Sequence, residues 1–391
     1  MQTILEKKSP RLARVTKEFE VQFKWLVVWI IFFLLRRGAP ARKPSLNPHQ
    51  VKTVLILRYD KVGDMIISLP TFHTLKERYP HLRIDVLASR ENRMIIEHDS
   101  AIHQIYLFRK DRIRQTWQTL LALRRQRYDV TIDLVANVSV TSLIMVQVAG
   151  GNGYKIGVRK NNLTGLYDFN IPRKPMARTH ASKVHAAALI PFGITPDQCP
   201  AYSPIRLAPQ QWERGRQLIA ELCEERYSGL IGINISAGKP NRAWGEEKYT
   251  ELVRGLAADY ADRQFLIMAA PVDYHQAQRI AAGGDNVRVI QSGLSLLDVI
   301  SMVKHLDCIM SPDTSICHIA ANLGVPLLGL YSQAEGNFAR WRPLSERSWV
   351  LRSPEWDSLQ AITVRQYRDK IDEVLAEIYQ PTPARVVSKD K

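Results

Sequence analysis

Short apolar runs alternate with segments of helical period through most of this chain, in two successive series. The first has candidate strands at Val54–Leu57, Arg83–Leu87, Ile105–Leu107 and Val130–Leu134, separated by helical patterns at Met65–Arg78, Asn92–His98, Arg112–Arg127 and Val140–Val148. The pattern blurs through 151–179, and His180–Ile190 again reads as helix. The second series places strands at Leu230–Ile235, Phe265–Ala269, Val287–Ile290, Cys308–Met310 and Pro326–Tyr331, with helices at Glu246–Ala258, Tyr274–Ala282, Leu296–His305 and Thr314–Leu323. Strands that are apolar on both faces and followed by helices require a parallel sheet covered on both sides. Two such series predict an α/β chain of two Rossmann-like domains facing across a cleft, with ligands held beyond the carboxyl ends of the strands.

The chain of 391 residues is long enough for two buried cores. The expected division is 1–50 as a basic segment and linker, 51–205 and 206–350 as the two domains, and 351–391 as a helix (Val364–Ile378) and tail. Ser295 with Asp298 marks a helix start, and Gly324 marks a helix end. Four cysteines, Cys199, Cys223, Cys308 and Cys317, form no C-x-x-C pair, which points to buried thiols in a reducing compartment.

A net charge of +16 calls for an anionic partner. Residues 1–50 hold ten Lys and Arg against three Glu, around the apolar run Trp25–Leu35. That run is shorter than the roughly 20 residues that span a bilayer, and no small-residue cleavage site follows it. The expectation is a peripheral helix that places residues 1–45 on an anionic membrane surface. An uncleaved span and a partner-binding helix are the alternatives. No basic stretch outside this segment interleaves with stacking aromatics, so nucleic acid is not an expected partner.

Three stretches carry chemistry. In "LRYDKVGDMIISLP" (Leu57–Pro70) a strand ends among Arg58, Asp60, Lys61 and Asp64 around Gly63. Asp64 is either a first-turn charge serving its helix or a base placed to take a proton from a substrate hydroxyl. Asp60 and Lys61 are either solvated or ligand-facing. In "MSPDTSICHIAANLGVP" (Met310–Pro326) a helix opens at Thr314 and Ser315 after Asp313, and its free N–H groups suit a phosphate. His318 shares a helical face with Thr314, either as a group turned to the same opening or as a satisfied core histidine. In "INISAGKPNRAWGEEKY" (Ile233–Tyr249) Lys239 and Arg242 sit on a small-residue loop that a diphosphate could approach, or on a plain surface loop with a packed tryptophan. No D-x-D triplet occurs. Diphosphate charge would then be met by helix N-termini and cations, a design that calls for no metal and no cofactor.

Together these three stretches resemble glycosyltransferase family 9, the lipopolysaccharide heptosyltransferases, over roughly Val51 to Pro343. The Asp64 stretch is similar to the family's strand, I-G-D and T-P helix. The Asp313 stretch resembles its D-[TS]-G-x-x-H signature, and the Arg242 stretch its N-P-G…K-R-W loop. The resemblance implies a GT-B fold and inverting, metal-independent transfer from a nucleotide sugar, ADP-heptose in the best-known members. The acceptor it implies is a lipid-linked anionic glycan at the cytoplasmic face of the inner membrane. It implies Asp64 as catalytic base and Arg242, Asp313, Thr314 and His318 as donor residues, with Asp273 near the nucleoside; the loop cation Lys239 and the helix-start Ser315 join the expected donor site on the residue reading alone. Arg58, Asp60 and Lys61 fall to the acceptor side. Ser315 stands where the family has glycine, and Asp60-Lys61 where Ser-Ser is common. Other readings are a transferase of the same fold using another nucleotide sugar, a nucleotide-sugar-modifying enzyme, and a non-catalytic membrane-bound scaffold.

Overall fold

A computed structural model of the chain describes residues 30, 45–109, 111–135, 140–160, 165–172 and 176–379. The expected membrane segment, 1–45, lies outside the described residues save for Ile30 and Ser45. Among the described residues no helix is long and apolar enough to cross a membrane.

Two six-stranded sheets form, each wholly parallel. In the first, β1 (Thr53–Arg58), β2 (Arg83–Ser89), β3 (Gln104–Phe108), β4 (Val130–Asp133), β5 (Tyr154–Val158) and β6 (Phe169–Ile171) take the order β3-β2-β1-β4-β5-β6. The other comprises β7 (Gly229–Asn234), β8 (Arg263–Met268), β9 (Val287–Val289), β10 (Cys308–Pro312), β11 (Leu327–Tyr331) and β12 (Ser348–Arg352), in the order β12-β11-β10-β7-β8-β9. The order reverses beside β1 in one sheet and beside β7 in the other, and such switch points open a crevice at the strands' carboxyl ends. β1 pairs with β2 and β4 on either side, and its Val54–Arg58 are buried.

The crossovers are helical: α1 (Val62–Arg78), α2 (Ile113–Arg125), α3 (Val140–Gly150) and α4 (Ala181–Ala186) in the first half, then α5 (Pro209–Leu222), α6 (Glu246–Asp259), α7 (Tyr274–Ala281), α8 (Leu296–Val303), α9 (Ser315–Leu323), α10 (Glu335–Trp341) and α11 (Val364–Tyr379). The start of α8 is the expected capping box, Ser295 N and Oγ bonding Asp298 Oδ2 at 2.9 and 2.7 Å. Gly324 ends α9 in the left-handed conformation, φ 72°. Cys199, Cys308 and Cys317 are buried free thiols, and burial pushes Cys308 up to about 12.

Several expectations are corrected. Asn92–His98 is not a helix but a single 3-10 turn, Arg93–Ile95, because the Asn92 side chain is drawn into the core by the β1 loop. The blurred stretch contains β5, masked in the sequence by Lys155, whose buried amine folds back to donate to Gly151 O at 2.7 Å. The boundary expected at 350 falls inside β12. Leu359, Ile362, Tyr367, Ile371, Val374 and Leu375 share one core with Ile231, Phe265 and Met310, so 351–379 belongs to the second half. The halves meet where α1 packs on α9.

Candidate active site

Asp64 owes its place to β1. The strand ends at Arg58, the chain turns through Tyr59–Lys61, and α1 starts with Lys61 as a cap that makes no side-chain bond. Among the described residues the only side-chain partner of the Asp64 carboxylate is Arg58, Nη2 to Oδ1 at 3.6 Å. It caps no N–H of its own helix, so a purely helical role leaves its position unexplained.

Arg58 is fully buried, which changes its place in the site from acceptor contact to anchor. Nε donates to Asp64 O (3.1 Å) and Ser68 Oγ (2.9 Å), Nη1 to Asp60 Oδ2 (2.9 Å) and Leu134 O (2.7 Å), and Nη2 to His185 Nε2 (2.8 Å). Burial and the Arg58 charge hold His185 well below the usual histidine range, so it accepts as neutral imidazole. Placing a guanidinium in the interior costs several kcal/mol, and this full set of acceptors offsets it. Asn92, also buried, donates to Arg58 O (3.0 Å) and Asp60 O (3.2 Å) and so fixes the loop from the other side.

Burial, with Asp64 and Asp133 adding repulsion, pushes the Asp60 carboxyl up to about 6 against the pull of Arg58. Its Oδ1 is buried without a hydrogen bond. Under this loop lies a second ion pair, Lys160 Nζ to Asp133 Oδ2 at 2.7 Å, both side chains buried. Ser142 and Tyr167 add bonds to the same oxygen at 2.5 and 2.9 Å. Lys61 is exposed.

Opposite stands the end of β10. Thr314 caps α9, its Oγ1 accepting from Ile316 N (3.3 Å) and from Asn234 Nδ2 (3.3 Å), while Asn234 also holds Ser311 Oγ (2.9 Å). Asp313 accepts from Arg242 Nη1 (2.7 Å) and Asn337 Nδ2 (2.8 Å). Burial raises its carboxyl, while Asn337, Arg242 and then Lys61 pull it down. The charge of Lys61 thus reaches Asp313 across the cleft. Arg242 is clamped a second time, Nε and Nη2 meeting Asp357 Oδ1 at 3.1 and 3.0 Å. Asp273 accepts from Ser236 Oγ at 2.5 Å. Lys239 is exposed on the adjoining loop, and Ser315 is half-buried.

His318 is buried. Burial, then His180, pushes it down to about 3, so it is neutral, and among the described residues its Nδ1 has no hydrogen-bond partner. A side chain on Gly63 would meet His318 Cδ2 at 3.2 Å and Ser315 Cα at 3.8 Å. The first turns of α1 and α9 therefore touch, bringing the Asp64 loop and the Asp313–His318 turn to one cleft. Sequence reasoning missed Asn92, Asn234, His185, Asn337 and Asp357. Of these only Asn234 carried a signal, as the polar residue closing an apolar strand. Among the described residues no group of three or more His, Cys, Asp and Glu could hold a metal ion.

Residues 116–367, well over half of the chain, match the family described as glycosyltransferase family 9 (heptosyltransferase). The chain belongs to this family, and it is a glycosyltransferase. Lipopolysaccharide heptosyltransferase 3 of Escherichia coli K12 is 23% identical over 306 residues, 73% of this chain and 83% of that protein. The E. coli ADP-heptose lipopolysaccharide heptosyltransferase II structure superposes with a TM-score of 0.68 at 21% identity, covering 83% of this chain and 99% of that one. An E. coli heptosyltransferase solved with ADP-2-deoxy-2-fluoro heptose gives 0.64 at 20% identity, covering 82% and 99%. The fold of this glycosyltransferase is GT-B. The Asp64 stretch precedes the residues matched by the family.

Proposed function

We propose that this chain moves a heptose from ADP-heptose onto a hydroxyl of a lipopolysaccharide core, with inversion, without a metal ion, at the cytoplasmic face of the inner membrane. The observation that carries the reading is the cleft itself. Asp64, whose carboxylate has among the described residues only the Arg58 ion pair, stands after β1 on the side of the cation, the helix terminus and the His318 Nδ1 at the end of β10. The relatives named above act on lipopolysaccharide or hold an ADP-sugar, which supports donor and acceptor class.

In this reading the acceptor hydroxyl attacks the anomeric carbon as the bond from that carbon to the diphosphate oxygen breaks, and Asp64 takes the hydroxyl proton. Attack from the face opposite the leaving group inverts the centre. Arg242, Lys239 and the Thr314–Ser315 turn receive the charge that develops on ADP. His318 offers Nδ1 as a hydrogen-bonding group to the sugar, and Asp273 stands near the nucleoside. Arg58 positions, while Asp60 and Lys61 line the acceptor side. Residues 1–45 serve as the peripheral membrane anchor.

A thermal-shift and transfer panel of ADP-, UDP-, GDP- and CMP-sugars tests the donor. ADP-heptose should raise Tm by mass action and be the sugar donor consumed. Equal shifts with every nucleotide, or turnover with a UDP-sugar alone, would contradict it.

A further inference from the structure

Two large apolar side chains stand in the open on one helix. Trp117 is 51% and Leu121 40% exposed; four residues apart on α2, they share one face. The opposite face of the helix is spent, with Leu120 and Leu123 buried against Leu55, Leu57 and Leu87. The outward stripe begins at Arg114 and ends at Arg124 and Arg125, all exposed. Arg127 follows, exposed and in the left-handed conformation at φ 51°, where glycine would be less strained.

Beside the stripe lies an open depression of about 790 Å³, lined by Leu121, Arg124, Arg125, Arg127 and Tyr128. The acid on its rim, Asp129, has Oδ2 occupied by Lys52 N, Thr53 N and Thr53 Oγ1. Among the described residues no ion pair joins Arg114, Arg124, Arg125 or Arg127 to a carboxylate. Arg124 donates to Val148 O at 3.4 Å.

We propose that this face of α2 docks on an anionic lipid bilayer, with Trp117 at headgroup level, Leu121 at the acyl boundary and the arginines on lipid phosphates. A tryptophan and leucine between arginines is the side-chain order of a helix lying in a membrane interface. Guanidinium groups without a carboxylate partner are drawn to an anionic lipid surface. α2 starts from the carboxyl edge of β3, with Trp117 about 6 Å of helix axis from that start, and runs back so that Arg124, Arg125 and Arg127 stand by the amino ends of β4 and β5. Docking would lay this flank of the first sheet along the headgroup plane.

The test uses the full chain and vesicles of equal parts phosphatidylcholine and phosphatidylglycerol with brominated acyl chains, without donor or acceptor, so its failure is separable from failure of the transferase reading. Wild-type emission should be quenched by a larger fraction than that of Trp117→Phe. That Trp117 component should disappear on all-phosphatidylcholine vesicles and fall at least severalfold when Arg124, Arg125 and Arg127 are all changed to Gln. Equal quenching of wild type and Trp117→Phe would overturn the proposal, as would an unchanged component in the triple variant. If Trp117 responds to a soluble phosphorylated glycan and not to vesicles, the face is a glycan site and the bilayer assignment falls.

Discussion

At the scale of single residues, the first turn after β1 is organised by one buried cation. Arg58 reaches both Asp60 and Asp64, at 2.9 and 3.6 Å. Asp60 is pushed up to about 6 chiefly by burial, with one oxygen unsatisfied. Its folded value lies above its ordinary 3.8, so its neutral form is the stabilising one. That contribution is complete below about 4 and is lost as pH rises through about 6. Asp60→Asn should match wild type in Tm near pH 4 and exceed it near pH 7, by on the order of 2 kcal/mol or a few degrees. Thermal denaturation of both proteins across that range checks the sign, and a pH-independent difference would contradict it. The sequence showed four charges here and assigned three to the acceptor. It could not show that Arg58 is the last residue of a central strand covered on both faces, and burial rather than charge decides what that residue does.

At the scale of elements, the donor-side loop is held by a segment more than a hundred residues away. Trp244 is buried edge-on against Tyr249 and Tyr367 at 4.9 and 5.1 Å, its Nε1 donates to Ile362 O at 2.9 Å, and Lys248 donates to Gln360 O. Burial of such a ring contributes about 3 kcal/mol, enough to keep the 3-10 turn Pro240–Arg242 seated. Asp357, in the left-handed conformation at φ 53°, completes the latch by clamping Arg242. Arg242 thus faces two carboxylates, and in the proposed reading a diphosphate competes with both. Asp357→Asn should therefore tighten ADP binding roughly three- to tenfold, since about 1 kcal/mol of competing attraction is removed. Calorimetric titration measures it, and weaker binding would show that Asp357 serves only to orient Arg242. Elements with a clean period were legible: β1, α1, β10 and α9 fall within a few residues of the sequence reading. β5, broken by a buried lysine, was not. Neither was α5, which lies between the two series where strand–helix alternation gives no cue. Asp357 was invisible for a different reason, because its partner is set by tertiary packing.

For the whole molecule, the two sheets divide the work. The first supplies a carboxylate anchored from beneath by Arg58, Asn92 and the Asp133–Lys160 pair. The other supplies a cation, a helix terminus and a neutral imidazole, and α1 against α9 brings the two together. This division was legible as two βα series, whereas the contact between Gly63 and His318 was not, since nothing in one series announces which turn of the other it meets. Divided labour has a sharp consequence: proton removal and donor binding should separate cleanly. The direct measurement is single-turnover heptose transfer by Asp64→Asn, paired with its ADP dissociation constant. The account predicts a rate lower by about 10²–10⁴-fold with ADP affinity within about twofold of wild type. A transfer rate near that of wild type would contradict it.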